Sequence, residues 1–387
     1  MLTTLIVFIL ILGLLVLVHE LGHFVTAKRA GVKVDEFGFG FPPRIIGFYK
    51  DNNRWRIAGP KTVQKESTIY SLNWVPLGGF VKIKGEQGEA AAEEDSFAHK
   101  GAAKRAWILS SGVLMNVILA VFLLSAGYYI GLPQILDENN LGQAKISEKK
   151  IQIVEVVDRL PAQKEGVQIG DTIITIDGNI FSAVTEIQSY LDSKAGQEVI
   201  FEVKREEQII TKKIVPQMME TGKAGIGVAL VETALVSYPW YLALAHGFLT
   251  TLILAKAIIV AFFSLFKDLI TSQKVMVDVA GPVGIAVLTG QVAKMGFIYI
   301  LQFTALLSLN LAIINFAPFP ALDGGRVLFI IIEKIKGRPV NQKVENFFHN
   351  LGFVLLMFLI LLVTFRDISK ISDIFSRIGN YIKNIIL

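Results

Sequence analysis

The chain has 387 residues, 52% of them hydrophobic and 18% charged, with a positive mean hydropathy, which is too apolar for an ordinary soluble domain and implies a polytopic membrane protein. With no cysteine, disulfides, thiolate metal sites and a cysteine nucleophile are excluded. The net charge of +5 is spread over loops without a basic tract, so it argues against nucleic acid as a partner and for loops sorted by the positive-inside rule.

Hydrophobic runs of spanning length occupy about 2–27, 107–130, 240–266, 296–317 and 351–365, each near the roughly 20 residues that cross a bilayer. The first lacks a basic leader and a small-residue cleavage site, so it is expected to be a mature transmembrane helix. At its inner end stands Val18-His19-Glu20-Leu21-Gly22-His23-Phe24. In a helix His19 and His23 share one face a turn apart and can reach one metal, with Glu20 beside the fourth coordination position as general base. HExxH also arises by chance in soluble chains. At bilayer depth, however, a charged side chain costs about 2.5–3.5 kcal/mol, so ionisable residues there default to a functional reading.

The loop 28–105 is rich in Lys and Arg, including Lys100, Lys104 and Arg105, and is expected in the cytoplasm. The acid-rich segment 131–239 then lies outside. It reads as a small soluble domain: strands over 151–157 and 172–176, an Asp177-Gly178 turn, a helix with Ser182 as N-cap and Val184, Ile187 and Leu191 on one face, and strands over 198–204 and 208–215. The Ala/Glu stretch 89–95 is expected to be a mobile loop.

Parity decides how 240–266 is read. If it crosses, the polar cluster 315–326 lands opposite His19 and His23; if it does not, the cluster lands at their depth. The segment is therefore expected to lie along or dip into the outer leaflet, leaving four true spans, and His246, Lys256 and Lys267 suit an interfacial helix.

The cluster itself reads Asn315-Phe316-Ala317-Pro318-Phe319-Pro320-Ala321-Leu322-Asp323-Gly324-Gly325. Two prolines and a glycine pair break the helix at membrane depth, where broken backbone is tolerated only inside protein or along a wet cavity. Asp323 is the candidate third metal ligand, with a helix N-cap before a helix over 326–336 as its ordinary alternative. Asn315 is a candidate donor to a scissile carbonyl or its oxyanion, with helix-helix contact as the alternative.

HELGH in the first span, NFAPFPALDGG in a later one and an intervening PDZ-like domain together resemble the site-2 protease family of intramembrane zinc metalloproteases, in its bacterial branch of regulator of sigma-E protease type. The likeness covers nearly the whole chain and includes Gly38-Phe39-Gly40, Pro76-Leu77-Gly78-Gly79-Phe80-Val81-Lys82 and Gly281-Pro282-Val283-Gly284-Ile285. It implies that His19, His23 and Asp323 bind one Zn2+, that Glu20 activates water and that Asn315 supports the substrate. It also implies a membrane-associated β-hairpin over about 69–84 whose edge pairs with an unwound substrate, because a helical peptide bond must be extended before it is cut. Two features depart from the family. Ser110-Ser111-Gly112-Val113-Leu114-Met115-Asn116 replaces a Gly-Pro pair before the second-span asparagine, and one PDZ-like unit is present where some relatives have two.

The expected fold is a polytopic α-helical membrane protein, with four transmembrane helices, a membrane-associated β-hairpin and an inserted PDZ-like α+β domain. Its expected parts are 1–130 (first half of the core), 131–235 (PDZ-like, core about 151–216), 236–295 (interfacial helix and connecting loop) and 296–387 (second half of the core). The expected activity is zinc-dependent endoproteolysis of single-span membrane proteins, such as anti-sigma factors or signal-peptide remnants. The expected location is the bacterial cytoplasmic (inner) membrane, with the PDZ-like domain extracytoplasmic and available to substrates. The rival readings are an intramembrane metal transporter and a non-catalytic PDZ-bearing scaffold.

Overall fold

The computed structural model describes residues 2–60, 62, 66–136, 143–205, 208–219, 222–271, 280–338 and 340–386. It forms two compact units, Met1–Leu123 with Phe248–Ala293 and Ile300–Leu387, and Leu124–Gly247 with Lys294–Tyr299.

In the first unit, α1 (Leu2–Arg29) contains the HELGH string without interruption. It ends where Gly31 takes φ +69, with Gly31 N–H bonded to Lys28 O (3.1 Å) and Val32 N–H to Ala27 O (2.9 Å), so a left-handed cap satisfies the last carbonyls. The chain then forms a three-stranded sheet of β1 (Val34–Asp51), β2 (Arg54–Ala58) and β3 (Ile69–Ile83) in the order β2-β1-β3. The expected hairpin confined to 69–84 does not form. That segment is one long strand whose partner is β1, and Phe37 and Gly38 register with both of its halves (Tyr70 and Val81; Ser71 and Phe80). The chain does reverse direction between Leu72 and Gly79, across Pro76-Leu77-Gly78, but the two halves take opposite sides of one stretch of β1 instead of pairing with each other, and Gly78 lies where a Cβ would press to 2.7 Å from Val16 of α1. Phe24 of α1 stacks on Phe37 of β1 (4.7 Å), and Ala27, Val34, Ile83, Phe97, Ile108 and Ile330 form the core that joins sheet and helices.

The Ala/Glu stretch read as a mobile loop is tied in tight turns. The Glu89 carboxylate accepts the N–H groups of Gly85 and Gln87 (both 3.1 Å), and Lys84 donates to Glu93 and to Asp95 (2.6 Å), holding the Asp95 carboxyl below its ordinary range.

The second unit contains a six-stranded sheet. Its strands are β4 (Leu132–Ile135), β5 (Lys145–Val156), β6 (Thr172–Ile176), β7 (Val199–Arg205), β8 (Gln208–Ile214) and β11 (Val228–Ser237), in the order β4-β11-β5-β6-β7-β8. The two-residue strands β9 (Gln217–Met218) and β10 (Ala224–Gly225) pair with each other. Helix α3 (Pro161–Lys164) is short, and α4 (Val184–Ser193) buries Ile187 and Leu191 against Ile153, Ile176, Val199 and Phe201. Three of the four expected strands recur within a residue at each end, but β5 begins at Lys145 instead of 151, and β4 and β11 add to the β5 edge of the sheet from outside the expected core of 151–216. The α4 N-cap is Ala183 and not Ser182, because the Glu186 carboxylate accepts the N–H groups of both (2.8 Å from Ser182, 3.3 Å from Ala183).

The remaining helices are α2 (Ala102–Ile130), α5 (Trp240–Ile270), α6 (Pro282–Met295), α7 (Phe297–Asn315), α8 (Asp323–Lys336) and α9 (Gln342–Ile386). Helix α6 occupies part of what reads in the sequence as connecting loop, and 272–279 of that loop lie outside the described residues. Among the described residues five helices, α1, α2, α5, α7 and α9, are long and apolar enough to cross a membrane. Length and composition do not separate α5 from the other four. The protein is thus a polytopic membrane protein with a PDZ-like domain.

Candidate active site

Because α1 is unbroken, the four-residue spacing of the histidines puts both rings on one face, and each is nearly buried (5% and 6% exposed). Asp323 reaches them from 300 positions away in sequence by the break that the prolines impose. Helix α7 stops at Asn315, turns carry the chain through Pro318 and Pro320, and α8 restarts at Asp323. Asp323 makes no N-cap bond; the cap position is Leu322. Its Oδ2 lies instead 3.0 Å from His19 Nε2 and 3.3 Å from His23 Nε2, and the two Nε2 atoms are 3.2 Å apart.

That triangle fits a metal. Three ligand atoms of a tetrahedral zinc at about 2.0–2.1 Å lie roughly 3.3 Å from one another, which is nearly the observed set of edges. The outer ring nitrogens are engaged away from the centre. His23 Nδ1–H donates to the Ile108 carbonyl (2.8 Å), and His19 Nδ1 faces the Asn116 amide at 3.4 Å. Asn116 is fully buried and its Oδ1 has no partner; turning the amide over lets that oxygen accept the His19 Nδ1–H. Both Nε2 lone pairs then point with the carboxylate at a single place, an arrangement that a cation relieves.

The other wall of this cradle is α2, which runs unbroken through Ser111-Gly112 in spite of the missing Gly-Pro pair. A Cβ at Gly112 would fall 2.4 Å from His23 Nε2 and 2.8 Å from His19 Nε2, so only hydrogen fits there. A Cβ on Gly22 of the HELGH string would meet the Ser111 carbonyl at 2.3 Å. Ser308 of α7 donates to the Asn116 carbonyl (2.8 Å), fixing α7 to α2 beside the site.

Glu20 and Asn315 line one cavity of about 210 Å³ with Val16, His19, Leu311 and 321–323. The Val81 backbone N–H of β3 faces the Glu20 carboxylate. All five residues singled out from the sequence thus meet in one place. Asn116 and Gly112 were not assigned to it, although a buried amide one turn from a glycine in an apolar helix is a signal of a function or a tight contact.

The sequence matches peptidase family M50 over residues 7–359. The chain belongs to that family. A Clostridium perfringens protein is 34% identical over 92% of this chain and 95% of its own length. The zinc metalloprotease RasP of Bacillus licheniformis is 30% identical over 95% of this chain and 99% of its own. The regulator of sigma-E protease RseP of Escherichia coli is 26% identical, covering 94% and 98%. Among solved structures, the PDZ domain of an SdrC-like protein from Listeria monocytogenes is 30% identical, covering 22% of this chain and 92% of that one, with a TM-score of 0.21. The M50 peptidase described here is a site-2-type zinc metalloendopeptidase of the bacterial inner membrane. Zinc and proteolysis replace the transporter and scaffold readings.

Proposed function

We propose that His19, His23 and Asp323 hold the zinc ion, that Glu20 is the general base and acid, and that Asn315 positions the substrate carbonyl. The observation that carries this reading is the triangle of 3.0, 3.2 and 3.3 Å between two Nε2 atoms and a carboxylate that caps no helix. When bound, zinc supplies Lewis acidity toward a water and a carbonyl oxygen. Glu20 takes the proton of the attacking water and passes it to the leaving amine, and Asn315 donates to the oxyanion as it forms. Gly112 and the buried walls keep the ligands close, while β3 offers extended backbone beside Glu20 for an unwound substrate segment.

The substrates are single-span membrane proteins already shortened outside, with anti-sigma factors foremost because relatives carry the names regulator of sigma-W and sigma-E protease. The core crosses the membrane four times, with α5 not crossing, the PDZ-like domain outside and the parts bounded near 1–130, 131–235, 236–295 and 296–387. Contacts inside the first unit support this count. Gly290 of α6 packs on Thr4 at the outer end of α1, and Gly284 N–H bonds Asp367 of α9 (2.8 Å), while α7 ends at Asn315 beside Glu20. Helix α7 therefore starts at the outer side. If α5 crossed, 271–281 alone would have to return, too short a stretch for the roughly 17–25 residues of a spanning helix.

The test is cleavage of a single-span substrate by the purified protein in proteoliposomes, with zinc content measured in parallel. Glu20→Gln is expected to keep zinc and lose cleavage, and Asp323→Ala to lose both; full activity in either variant refutes the assignment.

A further inference from the structure

Within the broken segment, most backbone donors find partners in the segment itself: Ala317 N–H bonds Ile314 O, Phe319 N–H bonds Ala317 O, and Leu322 N–H bonds Phe319 O. Ala321 N–H does not. It donates 3.0 Å to His349 Nδ1 of α9, 28 residues further along. Ala321 is also the residue of this segment with a left-handed backbone, φ +76, a region in which a side chain with a Cβ is strained. Such a conformation persists only where the surroundings over-determine it.

Helix α9 supplies those surroundings. One turn beyond His349, Gly352 lets the Pro320 carbonyl approach so closely that a Cβ would stand 2.4 Å from its oxygen. The His349 ring lies 5.6 Å from that of Phe329 on α8 and is largely buried. Since Nδ1 accepts, the proton of the neutral ring is on Nε2, which is buried with no hydrogen-bond partner among the described residues, the Glu345 carboxylate lying 4.0 Å away. The imidazole is thus held through Nδ1, whose lone pair points at a strained peptide two residues before Asp323.

We propose that His349 is the positioning residue for Asp323: by accepting the Ala321 N–H it locks the strained peptide and so fixes the carboxylate at the metal centre. The proposal rests on the reading of Asp323 as a zinc ligand. A carboxylate on a loop has no helical spacing to set its place, and freeing φ of Ala321 would swing Asp323 away from both Nε2 atoms.

Three variants of the full-length protein in detergent separate the possibilities. His349→Phe keeps the ring and removes the acceptor, His349→Asn returns an acceptor oxygen near the Nδ1 position, and Ala321→Gly in the His349→Phe background makes the left-handed backbone inexpensive. Zinc loss to an external chelator, kcat and KM for a single-span substrate, and amide exchange across 316–322 in metal-free protein are read for each. His349→Phe is expected to lose zinc about tenfold or more faster, as outer partners of metal ligands do, to drop in kcat with KM little changed, and to exchange Ala321 N–H faster without metal. His349→Asn and the double variant should recover most of the loss. Wild-type zinc retention and exchange in His349→Phe, or no recovery in His349→Asn while its melting temperature is unchanged, overturns the proposal. Asp323→Ala measured alongside separates the two readings: if it retains zinc, the ligand assignment fails, and if it loses zinc while His349→Phe does not, only the role of His349 fails.

Discussion

His19, Glu20 and His23 hang from one unbroken helix, whereas Asp323 hangs from a stretch where one helix has ended and the next is beginning. In the first case the 3.6-residue period sets the geometry, and neighbours need only keep the rings turned; Ile108 O and Asn116 do so. In the second case nothing local sets it. The segment carries a left-handed alanine, is approached by α9 at Gly352, and joins its far end to the loop after β3 through an Arg326–Glu86 ion pair. A regular element thus carries the proposed base and two proposed ligands, and an irregular one carries the proposed ligand whose position depends on outside contacts. The two halves should therefore fail differently.

The largest effect separates chemistry from binding on the helical half. Glu20→Gln removes the proton carrier and leaves both imidazoles in place, so cleavage should fall by about 10²–10⁴-fold while one zinc per chain remains, measured by turnover and metal analysis on the same sample. Loss of zinc in this variant would mean that Glu20 belongs to the ligand set and that the division of roles is wrong.

Next in size is Gly112→Ala, which attacks the helical half from outside. The added methyl would stand 2.4 Å from His23 Nε2 and 2.8 Å from His19 Nε2, so both ligands must move. Zinc should be undetectable after purification although the protein still inserts and the PDZ-like domain remains folded. A Gly112→Ala protein that keeps stoichiometric zinc would show that the ligand helix can shift as a body, contrary to the tight seam at Gly22 and Ser111.

How much of this was legible in the sequence follows the same division. HELGH announces its geometry because helix spacing is a local property, and Pro318, Pro320 and Gly324-Gly325 announce that the chain must break. Sequence cannot say where a broken chain is caught. His349 stands just before the apolar run 351–365 and Asn116 inside the run 107–130, and neither gains meaning until two helices are brought together. The sheet shows the same limit: 69–84 has the composition of a hairpin, yet its partner is β1, a segment well before it in the chain that local patterning does not connect to it. In the PDZ-like unit alternation gave four strands, while β4 and β11 pair with each other on the β5 edge of the sheet although a long insertion separates them in sequence, a pairing that local patterning does not reveal.

Asn116 offers a graded test of the helical half. Asn116→Ala leaves the His19 Nδ1–H without an acceptor in a buried place, and should weaken zinc retention about 10–100-fold, the usual effect of removing the outer partner of a metal-bound histidine. Asn116→Asp keeps an acceptor oxygen at that nitrogen and should hold zinc better than Asn116→Ala. Equal behaviour of the two would mean that the Asn116 side chain does not hold the His19 ring, leaving this residue only the backbone contact to Ser308 of α7.

The smallest effect belongs to the irregular half. Ala321→Gly alone removes the φ penalty but widens the unfolded chain's freedom, and these two terms, each about 0.5–1 kcal/mol, largely cancel. Zinc loss should then stay within about threefold of the wild type, since the bond to His349 Nδ1 is a backbone bond and survives the change. The value of the variant is its contrast with Gly112→Ala, because a single methyl is added in one case and removed in the other. If the methyl removed from the loop proved as damaging as the methyl added beside the helix, the Ala321 side chain would be packing the loop in its own right, and the strain at φ +76 would not be what makes that half depend on α9.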